Sequence, residues 1–277
     1  QPSRAKTAIM EVSAHYLFCR SFGTVTDGEE GKAAMKKTIL VTGDSGGLGR
    51  AIVEALLESD TEVIVVGGSR SVTRNVEELQ EHFGERFFHR FLDLSQPDSV
   101  KTFFKEIVKE FAPITGLVNN SGFAYDDIIT NAKYDDLLAM YQINVLSPIL
   151  LTREFLRGTL RHGLSSSIVN ISSVSAHTGY KGLSMYASTK GAMEAFTIGC
   201  AREWGERNVR CNCVVPGFMD TNMSAKLTES QKDRIYKRTS MKRATQESSV
   251  AAMVAFLLSD KAMSITGDRI PVDCGTI

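Results

Sequence analysis

From residue 37 onward, short apolar runs alternate with stretches in which apolar residues recur at helical spacing. The runs at 38–41, 63–66, 87–92, 114–118, 167–171, 209–215 and 269–272 are rich in branched and aromatic side chains and predict strands. Ala51, Ile52, Ala55 and Leu56 follow the first run with one apolar face, which predicts a helix. The same spacing predicts helices near 76–83, 100–111, 137–160, 185–206 and 248–258, and a polar helical segment at 224–238. Strands that are apolar throughout, each followed by a helix, imply a parallel sheet covered on both faces. Right-handed crossovers then give a single-domain α/β fold, a Rossmann-like doubly wound sheet. No repeat or low-complexity linker marks a second domain.

Composition narrows the function classes. With 277 residues, 43% of them hydrophobic, the chain has material for one large core. The 32 basic and 32 acidic side chains cancel, so no general field draws it to nucleic acid or to an anionic membrane. No run approaches the roughly 18 apolar residues that a membrane span needs. The five cysteines lack a paired framework, which predicts a reducing, cytoplasmic setting. Cys211 and Cys213 have no second pair at zinc-ligand spacing, so no metal site is expected. Residues 1–34 differ from the rest, mixing Arg4, Lys6 and Arg20 with Glu11, Asp27, Glu29 and Glu30. They are expected to be a leader or mobile extension, with Met35 as the start of the domain spanning 35–277.

The first strand runs into Thr42-Gly43-Asp44-Ser45-Gly46-Gly47-Leu48-Gly49 and then a helix. Glycines allow the sharp bend and the close approach of backbone to a pyrophosphate, and the helix start offers N–H groups to the anion. Gly43, Ser45, Gly47, Leu48 and Gly49 are therefore candidate contacts to a dinucleotide. At the end of the second strand an acid would hold the ribose diol of NAD, but this chain has Gly67-Gly68-Ser69-Arg70. Arg70 is either a partner for the 2′-phosphate of NADP or a solvated loop residue. NADP is the expected cofactor, with NAD open.

Tyr186 and Lys190 stand four apart on a predicted helix and share a face. An ammonium beside a phenol of ordinary pKa near 10 is expected to favour the ionised form and make the pair useful in proton transfer. The chain from 35 to 277 resembles the short-chain dehydrogenase/reductases through TGDSGGLG at 42–49, Asp93-Leu94, NNSG at 119–122, Asn144, Ser173, YASTK at 186–190 and Pro216-Gly217. The resemblance implies Tyr186 as general acid/base, Lys190 as its modulator and ribose ligand, Ser173 as holder of the substrate carbonyl, and Asn144 as holder of a relay water. It places Asp93 and Leu94 at the adenine, Asn120 near the adenine-side ribose, and Pro216, Gly217 and Thr221 at the nicotinamide end. Gly46 departs from the basic residue often present in NADP-dependent members, and Asp44 is expected to put a negative charge close by.

Among subfamilies the chain looks most like the β-ketoacyl-[acyl carrier protein] reductases, through PGFMDTNM at 216–223 and ITGDRIPVDCG at 265–275. That implies an acyl thioester on an acidic carrier protein, docked by Arg161 and Arg207, and a homotetramer with Ala192, Ala195 and Phe196 near a helix interface. Reductases of sugars, steroids or polyketides share the same cleft. A non-catalytic nucleotide-binding regulator is the alternative from another class.

Overall fold

The computed structural model describes residues 37–221 and 227–277. The expected leader, Met35, and the start of the polar helical segment lie outside the described residues. Seven strands appear where the apolar runs predict them: β1 (Lys37–Thr42), β2 (Val63–Ser69), β3 (Phe87–Phe91), β4 (Ile114–Asn119), β5 (Ser166–Ile171), β6 (Val209–Pro216) and β7 (Arg269–Val272). They pair in parallel in the order β3-β2-β1-β4-β5-β6-β7, a doubly wound sheet. The order reverses between β1 and β4, the point outside whose strand ends doubly wound sheets leave a crevice for a ligand.

Helices cover both faces. On one side α1 (Gly47–Ser59), α2 (Arg74–Phe83) and α9 (Glu247–Leu258) bury Ile52, Leu56, Val76 and Val254 against Val41 and Val65. On the other, α3 (Pro97–Phe111), α5 (Ser147–His162) and α7 (Ser184–Trp204) bury Phe103, Ile107, Phe155 and Cys200 against Leu40 and Leu117. Each fully buried leucine or phenylalanine contributes about 1.5–3 kcal/mol, which fixes strand register and thereby the position of every strand end.

Two departures from the pattern matter. The expected helix at 137–160 is divided: α4 (Tyr134–Tyr141) passes through a π-helical turn, Gln142–Leu146, into α5. Such a turn inserts an extra residue into the ladder, and here it holds Asn144. The polar segment yields α8 (Glu229–Tyr236), closed by a capping box in which Thr228 and Gln231 satisfy each other's backbone donors. A short α6 (Ser175–Thr178) follows β5 and was not signalled by periodicity. Among the described residues no helix is long and apolar enough to cross a membrane.

Candidate active site

The glycine-rich turn leaves β1 with Gly43 at φ +77° and enters α1 through Gly47 at φ +50°. A Cβ at Gly43 would sit 2.9 Å from Ser121 Oγ and 3.0 Å from Asn120 Nδ2, and one at Gly49 would run into the Gly43 carbonyl. The turn is tied down from β4. Asn120 donates from Nδ2 to the Thr42 carbonyl at 2.9 Å, and the backbone amides of Asn120 and Ser121 both donate to the Thr42 hydroxyl at 3.0 Å. Asn120 thus steadies the turn, and Thr42, which the motif does not single out, is its anchor.

Helix α1 begins behind Gly46 with no side chain capping its amides and no acid in its first turn. Those amides, approached across glycines, suit the pyrophosphate of a dinucleotide. Leu48 is buried beneath the turn, and Ser45 holds α2 in place by accepting from Thr73 Oγ1 at 2.8 Å. Arg70 lies exposed just past β2, and Arg74 is engaged with Glu78 at 3.0 Å. Asp93 is partly committed, its Oδ1 accepting from the Ser95 amide and hydroxyl at 2.9 and 2.7 Å ahead of α3. Leu94 is buried next to it.

Asp44 carries its charge inside the fold. It is wholly buried under the turn, pointing at Gly67 with Oδ2 2.7 Å from His89 Nδ1 on β3. Its Oδ1 is buried without a hydrogen-bond partner.

The catalytic candidates converge from three elements. Ser173 follows β5, and its hydroxyl shares a hydrogen bond with Tyr186 on α7. Lys190 is buried one turn along, donating from Nζ to the Ile171 carbonyl at 2.9 Å, with its ammonium 5.6 Å from the Tyr186 ring centre. Asn144 closes the set, but its side chain is already used. Its Oδ1 accepts from the Phe123 amide at 2.8 Å, while Nδ2 donates to the Phe123 carbonyl at 2.8 Å and to Thr189 Oγ1 at 3.0 Å. The asparagine side chain therefore pins the β4–α4 loop to α7.

The expected acidification of the phenol is absent. Burial pushes Tyr186 up to about 12, Asp126 adds to the rise, and the Ser173 hydrogen bond offsets part of it. Burial also pulls Lys190 down to about 8. An ammonium in this dry setting is itself costly, so it does not dominate its neighbour. Unfolded, Lys190 has the ordinary value of 10.5, so between about 8 and 10.5 the unfolded chain binds more protons than the native one. Native stability must then rise with pH across that window. Compared with Lys190→Met, the wild type is expected to gain on the order of 3 kcal/mol from pH 7.5 to pH 10.5 in urea unfolding. A constant difference between the two proteins would show that the lysine is not desolvated.

Pro216 ends β6 and Gly217 packs so closely on Asp273 that its Cβ would lie 2.7 Å from the Asp273 Cα. Thr221 follows on the same segment, half-buried. Arg161 and Arg207 are not part of this gathering. They sit at the ends of α5 and α7, just before β5 and β6, by the N-terminal ends of those strands, whereas Ser173 and Tyr186 follow the C-terminal end of β5.

Glu194 escaped the sequence reading. It is buried two turns beyond Tyr186 on α7, where its Oε1 accepts from Ser172 Oγ at 2.6 Å and meets His177 Nε2 at 3.0 Å. Its Oε2 lies 3.6 Å from Arg269 Nη1 of β7. A lone glutamate on a helix reads as a surface residue; only the long-range partners reveal it.

Comparison with known proteins agrees with this geometry. Residues 43–276 match the family described as enoyl-(acyl carrier protein) reductase. The uncharacterized oxidoreductase YmfI of Bacillus subtilis is 34% identical over 243 residues, covering 87% of this chain and 99% of the relative. The 3-oxoacyl-[acyl-carrier-protein] reductases of Aquifex aeolicus and Vibrio cholerae are 35% and 32% identical, each covering 86% of this chain and 96% of the relative. The chain belongs to the short-chain dehydrogenase/reductase family and is an NAD(P)H-dependent oxidoreductase acting between C=O and CH–OH. Within that family it is most like the 3-oxoacyl-[acyl-carrier-protein] reductases.

Proposed function

We propose that the chain reduces the 3-oxo group of acyl thioesters borne on acyl carrier protein, with NADPH as donor, in cytoplasmic fatty acid synthesis. The observation that carries this reading is a protonated phenol, Tyr186, hydrogen-bonded to Ser173 and backed by buried Lys190. A phenol held near 12 is protonated at neutral pH, so it has a proton to give, and negative charge building on the carbonyl oxygen would draw that proton across.

Bound at the crevice, the nicotinamide supplies the hydride. Ser173 and Tyr186 would hold the substrate carbonyl oxygen, and Tyr186 would give its proton to the oxygen as negative charge develops there. Lys190 would hold the nicotinamide ribose and restore the phenolic proton. The α1 amides of Gly47 and Leu48, with Gly43, Ser45 and the bare backbone at Gly49, would hold the pyrophosphate, and Arg70 the 2′-phosphate. Asp93, Leu94 and Asn120 would line the adenosine, and Pro216, Gly217 and Thr221 the nicotinamide end.

Arg161 and Arg207 would receive the acidic carrier. Because they stand at the opposite strand ends from Tyr186, a carrier docked there would serve a neighbouring subunit, which fits a homotetramer. The exposed Ile198 on α7 and Leu160 on α5 offer apolar contacts for such an assembly. NADPH consumption with acetoacetyl thioester, free and carrier-linked, tests the proposal. Turnover is expected with both, and with a lower KM for the carrier form. Binding of nucleotide without reduction of any 3-oxo thioester would overturn the assignment, and reduction of a crotonyl thioester instead would make the chain an enoyl reductase.

A further inference from the structure

We propose that the buried Asp44–His89 pair sets the preference between phosphorylated and unphosphorylated nicotinamide nucleotide, an inference that rests on the cofactor reading above. The carboxylate lies under the glycine-rich turn, against the tip of β2. A Cβ at Gly67 would strike it, so Gly67 is glycine to admit the Asp44 side chain. Doubly wound sheets that select NAD carry an acid on this strand tip, aimed at the ribose. Here the tip has no acid, and one lies beneath it, turned inward.

A carboxylate only accepts hydrogen bonds, so His89 Nδ1 is the donor across the 2.7 Å contact. The second oxygen, Oδ1, is buried and unpartnered, so His89 is the one ion-pairing group that the carboxylate has. Charged groups on the flanking elements are otherwise occupied. On β3, Arg90 is bound to Glu110 and stacked on Phe111. Arg50 of α1 bridges Glu54 and Glu78, and Arg74 of α2 also holds Glu78. Glu77, Glu81 and His82 are the other titratable groups of α2, Asp93 follows β3, and Arg70 stands exposed beyond β2.

The field at the strand tip therefore follows the net charge of the pair. A 2′-phosphate adds about −1.5 to −2 charges to the nucleotide, so NADPH feels that field more than NADH does. Each unit of negative charge removed from the pair favours NADPH; each positive charge removed favours NADH. At roughly 10 Å and an intermediate dielectric, one unit changes the ratio of the two affinities about tenfold.

The test measures dissociation constants for NADPH and NADH by nucleotide fluorescence, without substrate. Asp44→Asn keeps shape and an acceptor while removing the charge, and is expected to raise the NADPH-to-NADH affinity ratio about tenfold. His89→Gln keeps a donor to the carboxylate but can carry no positive charge, and is expected to lower the ratio. If either variant melts early, the other decides. A ratio unchanged in a folded Asp44→Asn variant overturns the proposal. A wild type that binds neither nucleotide overturns the cofactor reading instead.

Discussion

Replacing Tyr186 with phenylalanine is expected to lower kcat for carbonyl reduction roughly a thousandfold, while nucleotide affinity and melting temperature stay at wild-type values. The substitution removes one oxygen and nothing else. Phenylalanine keeps the ring that lies 5.6 Å from the Lys190 ammonium, so the packing of α7 against β5 persists. What disappears is the proton that neutralises the developing alkoxide, together with the Ser173 hydrogen bond. Without a positioned acid the proton must come from water, in a site where burial has already raised the cost of charge. Steady-state NADPH oxidation, with fluorescence titration as a binding control, separates the two effects. Turnover that survived in the phenylalanine variant would remove Tyr186 from the chemistry.

The second large effect is structural. Gly49→Ala is expected to cost about 3 kcal/mol or more and to abolish nucleotide binding. The added methyl would run into the Gly43 carbonyl and come within 2.9 Å of Asn120 Nδ2, so backbone, not a flexible side-chain end, must give way. The amide of Gly49 also donates to the Gly46 carbonyl at 3.1 Å, closing the turn on itself. Pushing α1 back would carry its uncapped amides away from the crevice. Thermal melting and fluorescence titration report the two losses separately. A variant that melted with the wild type and bound NADPH normally would show that the turn is looser than this packing implies.

Much of this was legible in the sequence because it depends on local pattern. Branched apolar runs fixed all seven strands, and a glycine-rich segment between strand and helix marked the turn. The four-residue spacing of Tyr186 and Lys190 put them on one face. What stayed hidden depends on distant parts of the chain. The π-helical turn at Asn144 looks like any helical stretch, since its extra residue is imposed by packing and by the bonds to Phe123 and Thr189. The inward turn of Asp44 needs His89, forty-five residues away, and the absence of a side chain at Gly67. The direction of the Tyr186 shift was misjudged from sequence because adjacency is visible there and desolvation is not. That Arg161 and Arg207 stand at the strand ends away from Tyr186 is visible only once strand direction is known.

The Glu194 junction has a mechanical meaning. One carboxylate fastens the last strand, through Arg269, to the helix that bears the phenol, and through Ser172 and His177 to the segment on either side of Ser173. None of these parts can slide alone without stranding a charge in the interior, a loss of several kcal/mol. A disturbance at the chain's final strand is therefore transmitted to the Ser173 hydroxyl.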